Sequence, residues 1–289
     1  MEHRRSPQID MSHRFEIQNE GHFRSKYYRT SFEARPAVQS KEAPMTWRRT
    51  TLAIALAAAG LANGPARAQT EQAAFLFTYD IDRGKEAAFE AGYAAHLQWH
   101  AAHADTLPWF GWYVTSGPRT GLFVDGTFGV PFAAMDARPD LAGDGADMKA
   151  RVLPYAKART YSAHVLWPEL STVRSLEARQ PSPVVDVYTL RVAPGDVATF
   201  ETALLGSART RKDGLAWTWY RLAGGGDLGA YMVLVPRRSW ADLAGRPTDL
   251  PGLIAAAHGA SPDEARAAAL VQSVEVETWS YKPGLSRLP

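Results

Sequence analysis

His96, His100 and His103 stand at i, i+4 and i+7, with Trp99 among them. On a helix that spacing puts three imidazoles on one face, near enough for neighbouring side chains to meet. With Phe89 at the centre of the inward stripe, Tyr93 falls about 40° to one side and the histidines at about −20°, +20° and −40°. All three are therefore expected to point with the apolar stripe rather than into solvent. An imidazole in that position can serve as general base, metal ligand or axial haem ligand. His96 and His100 are the candidate catalytic pair, and Tyr79, Tyr93, His103 and Trp112 the candidate ligand-binding residues. The bland alternative is a helix end that overhangs its sheet, with histidines solvated or simply hydrogen-bonded. A structural zinc site wants a fourth protein group and a catalytic one a water. The spacing leaves the metal and the cofactor open, and with them whether Asp105 or His164 comes near.

Other candidates carry less. His164 is expected on a strand, alternating with Ser162 and Leu166, and a lone strand histidine is usually a satisfied residue. His258 lies in an Ala-rich helical piece and invites no role. Tyr79, Trp112, Tyr188 and Trp219 recur at strand positions and read first as core, second as the lining of an apolar pocket. Gly224-x-Gly226-x-x-Gly229 fits a dinucleotide pattern but falls between two hairpin strands, so no helix N-terminus awaits a pyrophosphate. Asp140, Asp144 and Asp147, around Gly143 and Gly145, lack the twelve-residue calcium pattern and its final Glu, and read as an acidic loop. The chain has no G-x-S-x-G, H-E-x-x-H or P-loop.

The elements that must position these residues come in two rounds. Phe75-Leu76-Phe77-Thr78-Tyr79, Gly84-x4-Phe89-Glu90 and Trp112-Tyr113 are followed by Val184-Val185-Asp186-Val187-Tyr188, Gly195-x4-Phe200-Glu201 and Trp219-Tyr220. The repeat fixes the architecture before any propensity is counted. In the first round the patterning predicts a strand over Phe75–Ile81, a helix from Lys85 to about His103, and strands over Trp109–Thr115 and Gly121–Thr127. Interrupted helix follows over Val130–Met135 and Ala146–Ala156, with Arg138–Gly145 as loop, then a strand over Thr160–Trp167. The second round predicts strands over Val184–Val192, Ala216–Leu222, Ala230–Val235 and Gln272–Tyr281. Its helix runs over Asp196–Thr210, with broken helical pieces over Ser239–Leu270. The shift that carries Phe89 to Phe200 carries Tyr93, His96, His100 and His103 to Leu204, Ser207, Arg211 and Gly214. The fold marker is kept and every histidine is lost.

This order, βαββαβ twice, is an α+β arrangement: each unit gives a four-stranded antiparallel sheet with its helices on one face. Together with the repeated Gly-x4-Phe-Glu, it resembles the dimeric α/β-barrel superfamily, in the tandem form where one chain supplies both ferredoxin-like repeats. The opening strand-turn-helix is most similar to NIPSNAP-type and antibiotic-biosynthesis-monooxygenase-type domains. The resemblance covers residues 73–282. It implies one α/β barrel and a range of activities, from cofactor-free monooxygenases and haem-handling enzymes to isomerases and proteins without known activity.

Met45–Ala68 reads as a secretory signal peptide: Arg48-Arg49, an apolar Leu52–Ala62 too short to span a bilayer, and an Ala66-Arg67-Ala68 cleavage site. Thr50-Thr51-Leu52 after the two arginines fits the twin-arginine route poorly. Residues 1–44 are polar and aperiodic, and are expected to be a disordered or mis-assigned upstream extension, with translation starting at Met45. The expected domains are then a first repeat over 69–169, a linker over 170–183 and a second repeat over 184–289. Removing residues 1–68, with their 11 basic and 6 acidic side chains, from totals of 32 and 30 leaves a net charge of −3. No basic patch argues for nucleic acid. The absence of cysteine suits an oxidising compartment and excludes thiolate chemistry.

The expectation is therefore a periplasmic or extracellular protein without a membrane-spanning segment in its mature chain, monomer or homodimer. Its first reading is a binding protein for a small apolar or aromatic molecule. Its second is a small-molecule enzyme, cofactor-free or dependent on haem or metal, that uses His96 and His100.

Overall fold

The computed structural model describes residues 72–208 and 214–289. The expected signal peptide and the segment before it lie outside the described residues. The first half runs β1 (Gln72–Ile81), α1 (Glu86–Ala102), β2 (Phe110–Ser116), β3 (Phe123–Pro131), α2 (Ala133–Asp136), α3 (Leu141–Arg151) and β4 (Ala156–Leu166). The second runs β5 (Val184–Val192), α4 (Val197–Ser207), β6 (Thr218–Gly224), β7 (Ala230–Arg237), α5 (Leu250–His258), α6 (Pro262–Ala269) and β8 (Val271–Tyr281).

The strands pair in the order β1-β3-β2-β8-β5-β7-β6-β4, and β4 pairs back onto β1, so the antiparallel sheet closes into a barrel. Closure removes the free edges that an open sheet would present. The seams between halves are β2–β8 and β4–β6.

Both faces of β1 are buried. Along β1, Ala74 and Leu76 pack inward with Trp112, Val187, Tyr220 and Trp279. Ala73, Phe75 and Tyr79 pack outward against Phe89, Tyr93 and Leu97 of α1. The half-buried strand expected from the Phe75-Phe77-Tyr79 alternation is thus buried on both sides, because a helix covers one face and the closed interior the other. Phe200 and Leu204 of α4 cover the second half in the same way. The linker crosses one end of the barrel: Leu176 joins the inner core and Glu177 accepts a hydrogen bond from Tyr220 Oη.

Several boundaries differ from expectation. Val130 and Pro131 end β3 and do not begin a helix. The expected loop 138–145 contains the start of α3. Asp140 caps this helix by accepting from Gly143 N–H at 2.9 Å, which offsets the weak helix propensity of Gly143 and Gly145. Ala156 opens β4 instead of closing a helix, and β4 starts four residues before Thr160.

Two backbone details set the position of α1. Gly92 crosses α3 so closely that a Cβ there would lie 2.0 Å from the Arg151 carbonyl oxygen. Glycine within a helix costs about 0.5–1 kcal/mol relative to alanine, and here it permits the approach of the two helices. At the other end, Ala104 adopts φ 56° and Asp105 N–H returns to the His100 carbonyl at 3.1 Å, a Schellman-type stop.

Candidate metal centre

α1 buries Phe89, Tyr93, His96, Leu97 and His100 along one stripe. His96 and His100 are both almost fully enclosed, as the wheel predicts. His103 departs from it. The helix ends at Ala102, and His103 is exposed, its ring stacked on Trp99 at 3.9 Å and its Nδ1 2.8 Å from the Trp99 carbonyl. The chain turns before the third imidazole can follow the stripe inward.

The Schellman turn carries Asp105 back to His100. Asp105 Oδ2 lies 2.7 Å from His100 Nδ1. The same carboxylate accepts from Leu107 N–H at 2.8 Å and from Trp109 Nε1–H at 3.1 Å. Burial pushes this carboxyl up, but the hydrogen bonds from His100, Leu107 and Trp109 together outweigh it and hold it at about 2.

The segment expected to be an acidic loop is the partner of His96. Asp144 and Asp147, three residues apart on α3, face α1 together. Asp147 Oδ2 lies 2.9 Å from His96 Nδ1, and Asp147 Oδ1 accepts from Arg151 Nε–H at 2.6 Å. Asp144 Oδ2 is bonded by Arg138 Nη2–H, and the Arg138 guanidinium lies 5.5 Å over the Trp109 ring. Burial raises both carboxyls, and their bonds to His96 and the arginines bring them below the usual range. Burial lowers His96, and its bonds to Asp144 and Asp147 more than reverse that.

A carboxylate only accepts, so the Nδ1 of each ring carries the proton. Both Nε2 lone pairs then turn to one point. His96 Nε2 and His100 Nε2 are 3.1 Å apart, and Asp144 Oδ1 lies 3.3 Å from the first and 3.5 Å from the second. Asp144 Oδ1 is buried without a hydrogen-bond donor. Three ligand atoms around a tetrahedral ion with bonds of ~2.0–2.1 Å are separated by about 3.3 Å. The donor set therefore fits a metal in both chemistry and spacing, and among the described residues these three are the group able to hold one.

Beside them is a cavity of about 50 Å³, lined further by Phe77, Tyr79, Tyr93, Asp125, Arg138 and Met148. Asp125, on β3 opposite Phe77, accepts from Tyr93 Oη–H at 2.7 Å, while its Oδ1 is buried without a partner. Burial raises its carboxyl to about 7 against the opposing effect of the Tyr93 bond.

Of the ligand-binding candidates, Tyr79 and Tyr93 come to this cavity, while His103 and Trp112 do not. Trp112 packs inside the barrel, on the far side of the sheet from Tyr79. His164 also faces the interior. Along the sequence, spacing leaves Asp105 open, Asp144 and Asp147 read as an acidic loop, and Asp125 and Arg138 carry no candidate role. Two signals were present: carboxylates at helical i, i+3 spacing, and one Asp in the apolar run Phe123-Val124-Asp125.

No family model matches the chain, and no curated protein matches it in sequence. Among solved structures, it is similar to a protein from Fusobacterium nucleatum inferred to be a monooxygenase. The two are 8% identical with a TM-score of 0.49, over 73% of this chain and 93% of that one. It is also similar to the chlorite dismutase of Candidatus Nitrospira defluvii in complex with imidazole (11%, TM-score 0.47, over 76% and 95%). An anthrone oxidase-like protein gives 12% and 0.43, over 76% and 94%.

Proposed function

We propose that this protein is an exported, metal-dependent enzyme for a small molecule, with a divalent first-row transition ion held by His96 Nε2, His100 Nε2 and Asp144 Oδ1. The observation that carries this reading is the convergence of three lone pairs at 3.1–3.5 Å, with both Nδ1 protons already committed to carboxylates. Such a set repels itself unless a cation stands among it. Carboxylate-held imidazoles are the usual support of a metal-bound histidine. Two nitrogens and one oxygen suit zinc or iron(II).

An ion so held would supply a Lewis acid for water or a substrate oxygen. The chain's residues do the rest. Asp105 and Asp147 fix the ring orientations. Arg138 holds the second oxygen of Asp144. Asp125, steadied by Tyr93, offers Oδ1 in the same cavity to take or give a proton. Phe77 and Met148 limit water, and the cavity volume restricts the reacting part of the substrate to a few atoms.

Export through Met45–Ala68 belongs to the same proposal, supported by the order of its basic, apolar and cleavage regions. An N-terminus at Gln69 in the secreted protein tests it. The description of the barrel as two tandem ferredoxin-like repeats belongs to the proposal as well. Its support is the equivalence of Phe89 and Phe200, each wholly buried on the first helix of its half.

The main test is metal analysis of protein purified without chelator, followed by titration of chelator-treated protein with zinc and iron(II). One equivalent is expected, with affinity reduced at least a hundredfold in His96→Ala, His100→Ala and Asp144→Asn. The competing cation is a proton shared between the imidazoles. Protein that takes up neither metal overturns the proposal in favour of that proton.

A further inference from the structure

The inner face of the barrel holds a second, larger cavity of about 250 Å³. It is separated from the metal centre by the sheet: Leu76 and Thr78 of β1 line it, while Phe77 and Tyr79 face the other way. One wall is apolar, with Val187, Met232 and Trp279. The opposite wall is a seam of hydrogen-bonding groups along β4. Thr160 Oγ1 donates to Thr78 Oγ1 at 2.8 Å, and Ser162 Oγ lies 3.0 Å from His164 Nε2.

His164 is only 7% exposed, and its Nδ1 is buried without a hydrogen-bond partner. Leaving such a group unpaired costs about 1–3 kcal/mol, which a ligand atom bonded to it would recover. Burial also lowers the imidazole to about 4, so it lines the cavity uncharged. The cations at the rim are already matched. Arg119 forms a two-point ion pair with Glu277 at 2.9 and 2.7 Å, and Arg191 pairs with Asp227. Glu275 adds a further carboxylate to the lining. Nothing in that balance favours an anion. A cavity of roughly 150 Å³ accepts benzene, so this one takes a single ring with small substituents.

We infer that the barrel interior is a binding site for an uncharged one-ring compound bearing a hydroxyl or carbonyl, with His164 Nδ1 bonded to that oxygen and the ring against Trp279. This site stands apart from the proposed metal centre, and either can fail without the other.

The test is calorimetric titration of the full protein with phenol, toluene and benzoate. Phenol should bind one to one, at least tenfold tighter than toluene or benzoate. Leu222→Trp, which fills the cavity, should abolish binding, and His164→Leu should erase the preference for phenol over toluene. His96→Ala should bind phenol as the unaltered protein does. A shift of the Met232 methyl resonance on adding phenol locates the ligand without any variant that must fold. The inference is overturned if phenol does not bind, if benzoate binds more tightly, or if the Met232 resonance stays still. It is also overturned if phenol binding survives in folded Leu222→Trp or disappears in folded His96→Ala.

Discussion

Each imidazole of the His96–His100 pair gives its Nδ1 proton to a carboxylate, Asp147 at 2.9 Å and Asp105 at 2.7 Å. These carboxylates touch no ligand position, yet they decide which nitrogen faces the centre. Asp105→Asn and Asp147→Asn are therefore expected to weaken zinc binding by about 10–100-fold. Asp144→Asn should weaken it further, because it alters a ligand atom itself. Competition with a chromophoric chelator separates the two classes. If all three variants lose affinity equally, the distinction between holding and orienting is wrong. The same helix end holds Ala104 at φ 56°, a conformation in which an L side chain crowds its own carbonyl. Ala104→Gly should relieve that crowding and stabilise the protein by about 1 kcal/mol, read as a higher midpoint in urea. An unchanged or lower midpoint would show that the turn is not strained.

At the scale of elements, the centre depends on how closely α1 and α3 cross. The ligands come from both helices, and Gly92 is where the backbones meet. A methyl group at Gly92 would fall 2.0 Å from a backbone oxygen, so one helix must move. Gly92→Ala should therefore cost about 1–3 kcal/mol by overpacking, despite alanine's higher helix propensity. It should also lower zinc affinity, since displacing α3 withdraws Asp144 and Asp147 from His96. Stability lost with metal affinity intact would mean that α3 tilts about the crossing without moving its carboxylates. α3 is hard to read because two of its acidic residues, Asp144 and Asp147, turn from solvent toward α1. Asp144 and Asp147 resemble surface residues in sequence, but their partner His96 is 48 and 51 positions away on α1.

At the scale of the whole molecule, the closed sheet with helices outside it makes two environments from one set of strands. Neighbouring residues of β1 enter different sites: Thr78 the barrel interior, Tyr79 the metal centre. Among the described residues, no helix is long and apolar enough to cross a membrane. Enclosure also carries a pH consequence. His164 is held neutral, its value lowered from 6.5 to about 4 by burial. The unfolded chain protonates it first as pH falls. Its contribution is thus fully present above about pH 6.5, declines between there and about 4, and is lost below. This amounts to about 3 kcal/mol across the window. The stability of the unaltered protein relative to His164→Leu, read from urea midpoints between pH 7 and 4, should fall as pH falls. Parallel curves would mean that His164 is not enclosed when neutral.

The chain by itself determined the order of elements, because strand and helix periodicities and the matched Phe89 and Phe200 depend on neighbours close in sequence. It also determined that His96 and His100 point inward, since the wheel is set by helix geometry alone. Only the tertiary structure decided what they meet there. Asp105 needed the turn at Ala104, Asp144 and Asp147 needed the crossing at Gly92, and Asp125 needed β3 beside β1. Those contacts join residues distant along the chain, and local pattern cannot report them. The same holds for Trp112, whose strand position is legible but whose side of a closed sheet is fixed only when β4 meets β1.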